Sequence, residues 1–124
     1  MAVRDYRDLH AWQMARQLAD RIDAICRQPQ FRDHRRSVEQ ISDSSQSVCA
    51  NIAEGFGRYG HAEFLRFLRI AHGSALETRE HLHSFESRGW ITDDEAQELG
   101  TLCDRTVGSI VPLMKYLRNS TARK

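Results

Sequence analysis

The chain has 124 residues, enough for one domain that buries a core without disulfide or metal staples. With 18 Lys+Arg against 17 Asp+Glu, no global field draws it to nucleic acid or to an anionic membrane, so any basic patch must be local. Its three cysteines, Cys26, Cys49 and Cys103, form no C-x-x-C pair and read as reduced core thiols; neither a disulfide framework nor a zinc knuckle is indicated.

In chain order, apolar positions recur at steps of three and four, the period of packed helices. The first segment holds Leu9, Trp12, Ala15 or Ala19, Ile22 and Cys26, with Asp5 and Asp8 suited to its start and Pro29 to its end. The second runs through Val38, Ile41, Ser45, Val48 and Ile52 to Phe56, before Gly55, Gly57 and Gly60 break the pattern. The third resumes with Phe64, Leu68, Ala71, Ala75, Thr78, Leu82 and Phe85, and Gly89 is placed to end it. Thr92 and Glu95 form a capping-box signature for the fourth, whose stripe is Ala96, Leu99, Cys103, Thr106, Ile110, Leu113 and Leu117. Pro112 should kink that helix or loosen its preceding turn.

No segment alternates apolar and polar residues as a strand does, so the class is all-α. Short connections near 28–36, 57–61 and 87–92 force sequential helices antiparallel, giving an up-down-up-down antiparallel four-helix bundle. The bundle is expected over residues 1–118, with a frayed tail at 119–124. Met1 to Tyr6 hold no apolar h-region, and no stretch approaches the roughly 20 apolar residues that span a bilayer, so a cytoplasmic protein is expected.

Three surface features carry candidate function. Beside its core stripe the third helix holds Leu65, Phe67, Ile70 and Ser74, with Gly73 permitting close approach. A monomer should leave much of that apolar surface in water, which points to self-association; a deeply buried central helix is the alternative. The second helix carries a polar stripe, Gln40, Ser44, Ser47, Asn51 and Glu54. Ser and Asn are mediocre helix formers, so a seam of hydrogen bonds to the third helix is expected, with Gln40 opposite Glu77 and Asn51 near Arg66 or Phe67. The third feature is positive charge: Arg27, Arg32, Arg35 and Arg36 with His34 around the first connection, and Arg66 and Arg69 on the third helix. These arginines could hold phosphates, or they could pair with the acidic stretch from Glu77 to Asp104.

Nothing points to catalysis. His81 and His83 fall on different helix faces, and Glu77 with His81 makes an i,i+4 pair rather than a metal site. Cys49 has no evident histidine partner, the serines lack a nucleophile elbow, and neither glycine-rich turn matches a phosphate loop. No enzyme, cofactor, metal or small-molecule substrate is expected.

The run Asn51-Ile52-Ala53-Glu54-Gly55-Phe56-Gly57-Arg58 is recognisable. With Asp8-Leu9, Trp12, Gln40-Ile41, Glu63-Phe64, Phe67-Leu68 and Ile70-Ala71-His72-Gly73-Ser74-Ala75-Leu76-Glu77, it resembles the four helix bundle family of 23S rRNA-intervening sequence proteins. The resemblance implies a bundle that closes into a homopentamer without established catalytic activity. Some members are encoded within insertions in ribosomal RNA genes. A similar accessory protein of diversity-generating retroelements works beside a reverse transcriptase and holds nucleic acid on a basic surface. Two departures stand out. Ser42 and Asp43 replace a basic pair common in the family, thinning the basic surface, and Cys49 replaces a proline, which should leave the second helix straighter. A scaffold or accessory role in a homo-oligomer follows, with nucleic-acid binding as the alternative.

Overall fold

The computed structural model describes residues 3–58 and 60–122. Four helices carry the fold: α1 (His10–Cys26), α2 (Arg35–Phe56), α3 (His61–Ser87) and α4 (Asp93–Ala122), with 3-10 turns at Tyr6–Asp8 and Pro29–Phe31. Helix α1 packs on α2 and α4, and α3 packs on α2 and α4, so the four close a bundle in which α2 against α3 is the most extensive contact. Between α2 and α3 the cross-helix pairs Ser44 with Thr78 and Ser47 with Ser74 run in opposite directions along the two helices, as antiparallel neighbours must, and Arg21 with Glu98 ties α1 to α4.

The helix ends follow the sequence signals with two differences. Thr92 N–H donates to the Glu95 carboxylate at 2.9 Å and Glu95 N–H to the Thr92 hydroxyl at 3.1 Å, closing the capping box. Gly89, at φ 73°, ends α3 in the left-handed region, and Trp90 N–H reaches back to the Phe85 carbonyl at 3.0 Å. Asp5 and Asp8 do not start α1. Asp5 instead caps the separate turn Tyr6–Asp8, accepting from Arg7 N–H, and α1 begins at His10 after an extended Leu9. Helix α4 continues past residue 118 to Ala122, where the expected tail is helical and Thr121 Oγ1 donates to the Leu117 carbonyl; Arg123 and Lys124 lie outside the described residues. It also runs through Pro112, whose missing N–H deprives the Gly108 carbonyl of its helical donor.

The core has two levels. One is small and alanine-rich: Ala11, Ala15, Ala19, Ala71 and Ala75 with Val48, Ile52, Leu65, Leu68 and Ile110. The other is bulky: Leu18, Ile22, Ile41, Leu82, Leu99 and Cys103, closed at the end of the bundle by Phe31 and Phe85. Between these levels in sequence lie the buried hydroxyls Ser44, Ser45, Thr78 and Thr106. Ser44, Ser45 and Thr106 each donate to a carbonyl three or four residues earlier on their own helix. Thr78 Oγ1 lies 2.8 Å from both the Ser74 carbonyl and the Ser44 hydroxyl and shares its one proton between them, and among the described residues no buried side-chain polar atom lacks a partner.

Where α2 ends, the chain needs a residue without a side chain. A Cβ on the buried Gly55 would stand 2.7 Å from the Phe67 Cβ and 2.9 Å from Phe64 Cδ1, so α2 and α3 touch there at backbone distance. Gly55→Ala is expected to destabilise the fold by about 1–3 kcal/mol through overpacking. Gly108→Ala, where a Cβ meets nothing within 4 Å, should stabilise it by about 0.5–1 kcal/mol through helix propensity. Urea denaturation of the two variants checks the opposite signs.

Candidate functional site

The polar seam forms, with a different membership from the one expected. Ser47 and Ser74 share a hydrogen bond at 2.9 Å, and Asn51 Nδ2 donates to the Ser47 carbonyl at 2.8 Å and to its hydroxyl at 3.0 Å. One turn along, Thr78 Oγ1 donates toward the Ser44 hydroxyl at 2.8 Å. Thr78 looks like part of the core stripe in the sequence, yet it supplies the partner that Ser44 needs. Gln40 is exposed and makes no side-chain hydrogen bond among the described residues, so the expected pair with Glu77 is absent. Glu77 instead meets His81 at 3.3 Å, and Glu54 meets Arg58 at 2.6 Å, each within its own helix. Asn51 turns back onto α2 rather than toward Arg66 or Phe67, because Ser47 one turn earlier offers both of its acceptors at short range.

The expected second apolar stripe of α3 is smaller than the spacing suggests. Leu65 and Phe67 are 7% and 9% exposed within the single chain. Leu65 joins the alanine-rich core, while Phe67 packs against Gly55 and lies under two guanidinium groups, Arg58 at 5.1 Å and Arg66 at 4.6 Å from the ring centroid. The close approach at Gly55 is what widens the buried face of α3. Ser74 is spent in the seam. What remains outward is Ile70, 42% exposed, Leu76, 51% exposed, and Gly73, where a Cβ meets nothing within 4 Å. Val111 and Tyr116 are exposed large apolar residues on α4.

The arginines divide into paired and unpaired. Arg27 pairs with Asp23, Arg35 with Glu39 at 3.3 Å and Arg66 with Glu63 at 3.2 Å, all local contacts rather than pairs with the acidic stretch from Glu77 to Asp104. Arg32, Arg36 and Arg69 are exposed without an ion pair among the described residues. The loop between α1 and α2 is fastened by neutral donors instead: Gln28 Nε2 to Glu95 at 2.9 Å and Gln30 Nε2 to the Trp90 carbonyl at 2.9 Å. His34 stacks on Trp90 at 3.8 Å between centroids, and Arg88 sits 5.2 Å from the same ring. This aromatic end carries no sequence periodicity, because Phe31, His34 and Trp90 lie in connections.

An open groove of about 530 Å³ runs between α1 and α4, lined by Gln17, Asp20, Arg21, Glu98, Leu102 and Arg105. One ion pair crosses it, Arg21 gripping Glu98 at 2.6 and 3.0 Å, which holds the Glu98 carboxyl below its ordinary value, while Arg105 has no ion pair among the described residues. The thiols are shielded. Burial raises Cys103 to about 12 and Cys26 to about 11, and raises Cys49 against the opposing pull of Arg16.

The comparisons with known proteins place these surfaces in a family. A family model described as 23S rRNA-intervening sequence protein matches residues 7–111. The chain belongs to that family. A crystal structure of a protein of unknown function from the S23 ribosomal protein family of Bacteroides thetaiotaomicron VPI-5482 superposes with a TM-score of 0.76 at 23% identity, over 85% of this chain and 98% of the other. That likeness shares the four-helix fold. No curated protein matches the chain. Within the matched range the run Asn51-Ile52-Ala53-Glu54-Gly55 covers the close contact of α2 with α3: Asn51 in the seam, Ile52 fully buried, Gly55 against Phe67.

Two measurements follow. At neutral pH the three cysteines should react slowly with a thiol reagent in the native protein and fully after unfolding. The Glu95 carboxyl, held down by Thr92 N–H and then by Gln28, contributes stability above the ordinary carboxylate range that is lost as pH falls through its lowered value. Glu95→Gln should therefore flatten the acid limb of a stability profile, and Thr92→Ala should cost about 1 kcal/mol.

Proposed function

We propose that this member of the family is a non-catalytic, self-associating helical bundle that serves as a scaffold or accessory protein. The observation that carries the reading is the outward face of α3, where Ile70 and Leu76 stand in water on either side of an open Gly73. Exposed apolar side chains around a glycine that opens the helix surface suit a protein interface. The buried, raised thiols and the Arg21–Glu98 ion pair across the α1–α4 groove agree with a role in binding rather than chemistry. The ring of five implied by the family resemblance belongs to the same proposal, as does a cytoplasmic location. Light scattering on the purified protein at micromolar concentration is expected to give a mass several times that of one chain; a monomer there removes the reading.

A second reading rests on Arg32, in the α1–α2 connection, and Arg36, in the first turn of α2, which are exposed without ion pairs among the described residues and recur once per copy in any assembly. Such unpaired guanidinium groups suit phosphate oxygens. If they hold RNA or DNA, affinity falls steeply with salt and Arg32→Glu with Arg36→Glu weakens it across all sequences. A filter-binding titration that is flat at moderate salt sets this reading aside.

A further inference from the structure

The outer face of α3 has a symmetry that neither helix period nor burial requires. Counting from Gly73, Arg66 and Arg69 lie seven and four residues before it and Ile70 three before; Leu76 lies three after, and Glu77 and Glu80 four and seven after. All seven residues are exposed. Offsets of three, four and seven fall on one side of a helix, so they form a single ridge about 21 Å long at 1.5 Å per residue. Read from its centre, the ridge is a glycine, then an apolar residue on each side, then two cations toward one end and two anions toward the other.

From this pattern we propose that α3 is a two-fold docking surface for a second copy of the same chain, the two α3 helices crossing antiparallel at Gly73. This rests on the self-association proposed above and names its surface. In that arrangement a residue n positions before Gly73 lies level with the residue n positions after it on the other copy. Arg66 then stands opposite Glu80 and Arg69 within side-chain reach of Glu77, while Ile70 and Leu76 flank the crossing on its two sides, and each charge pairing occurs twice because the interface is isologous. A parallel arrangement sets like charge against like, so the ridge selects one orientation as well as one partner. Gly73 sits where the helices come closest, and its missing side chain leaves that crossing open.

The cost of forming these pairs is small. Arg66 gives up an exposed contact with Glu63 at 3.2 Å and loosens its place over the Phe67 ring, which Arg58 continues to cover, and Glu77 gives up an exposed contact with His81 at 3.3 Å; such exposed contacts are worth little in water. Arg69 and Glu80 have no ion pair among the described residues to give up. Being two-fold, the contact does not itself close a ring of five, which needs a second, heterologous contact elsewhere on the chain.

The test uses the full chain and two charge reversals, Arg66→Glu with Arg69→Glu, and Glu77→Arg with Glu80→Arg, compared by sedimentation equilibrium at low salt. Each double variant faces itself with repelling ends and is expected to associate at least about tenfold more weakly than the wild type, whereas their equimolar mixture regains association because an all-acidic ridge meets an all-basic one. That rescue separates a lost contact from a lost fold. Gly73→Cys places two thiols at the crossing and is expected to give a covalent dimer under mild oxidation. If the wild type is monomeric, both this contact and the self-association reading fall. If the wild type associates but neither double variant changes its mass and Gly73→Cys does not crosslink, self-association stands and the α3 contact is overturned.

Discussion

The contact of α2 with α3 sets the rest of the structure. Over the length from Ser44 to Gly55 the two helices meet through a row of small residues beside the buried Val48, Ile52 and Leu68: serine and asparagine on α2, serine, alanine and threonine on α3, and finally a glycine whose Cβ would collide with Phe67. Close approach of backbones maximises dispersion contact but leaves no room for water, so each hydroxyl in the gap must find a protein acceptor. They do so by bonding back to the preceding turn and across to one another, which turns poor helix formers into a matched layer.

Two consequences follow for the core. The level next to the close approach is filled by alanines, because the helices are already near one another, while the level beyond it opens and takes Ile22, Leu82, Leu99 and the Phe31, Phe85, Trp90 aromatic end. The buried hydroxyls fall between these levels. A polar layer of this kind penalises a slip of one helix along another, since a shift would leave hydroxyls facing methyl groups.

The same contact decides what α3 shows to the outside. Tight seating on α2 draws Leu65 and Phe67 inward and lets Arg58 and Arg66 cover the Phe67 ring, so two large apolar side chains that spacing alone leaves on the surface are lost to it. The outer face is thereby reduced to a narrow ridge centred on Gly73. Its basic half lies toward the start of the helix and its acidic half toward the end, opposite to the distribution that the helix dipole favours. Dipole stabilisation of α3 itself therefore does not account for the pattern.

The sequence by itself determined the elements and the core stripes, because a 3-4 apolar repeat, a Thr-x-x-Glu cap and a terminal glycine are local signals that fix local geometry. Phe64, Leu68, Ala71, Ala75, Thr78, Leu82 and Phe85 are legible as one buried face for that reason. Only the tertiary structure decided how wide that face is, which polar residues meet, and where the arginines find partners. The depth at which Gly55 lets α3 settle on α2, the turning of Asn51 onto Ser47 and the local pairing of Arg27 and Arg35 all depend on distances between elements or on rotamers. Periodicity carries no information about either, since it records which side of a helix a residue occupies and not how near the next helix stands.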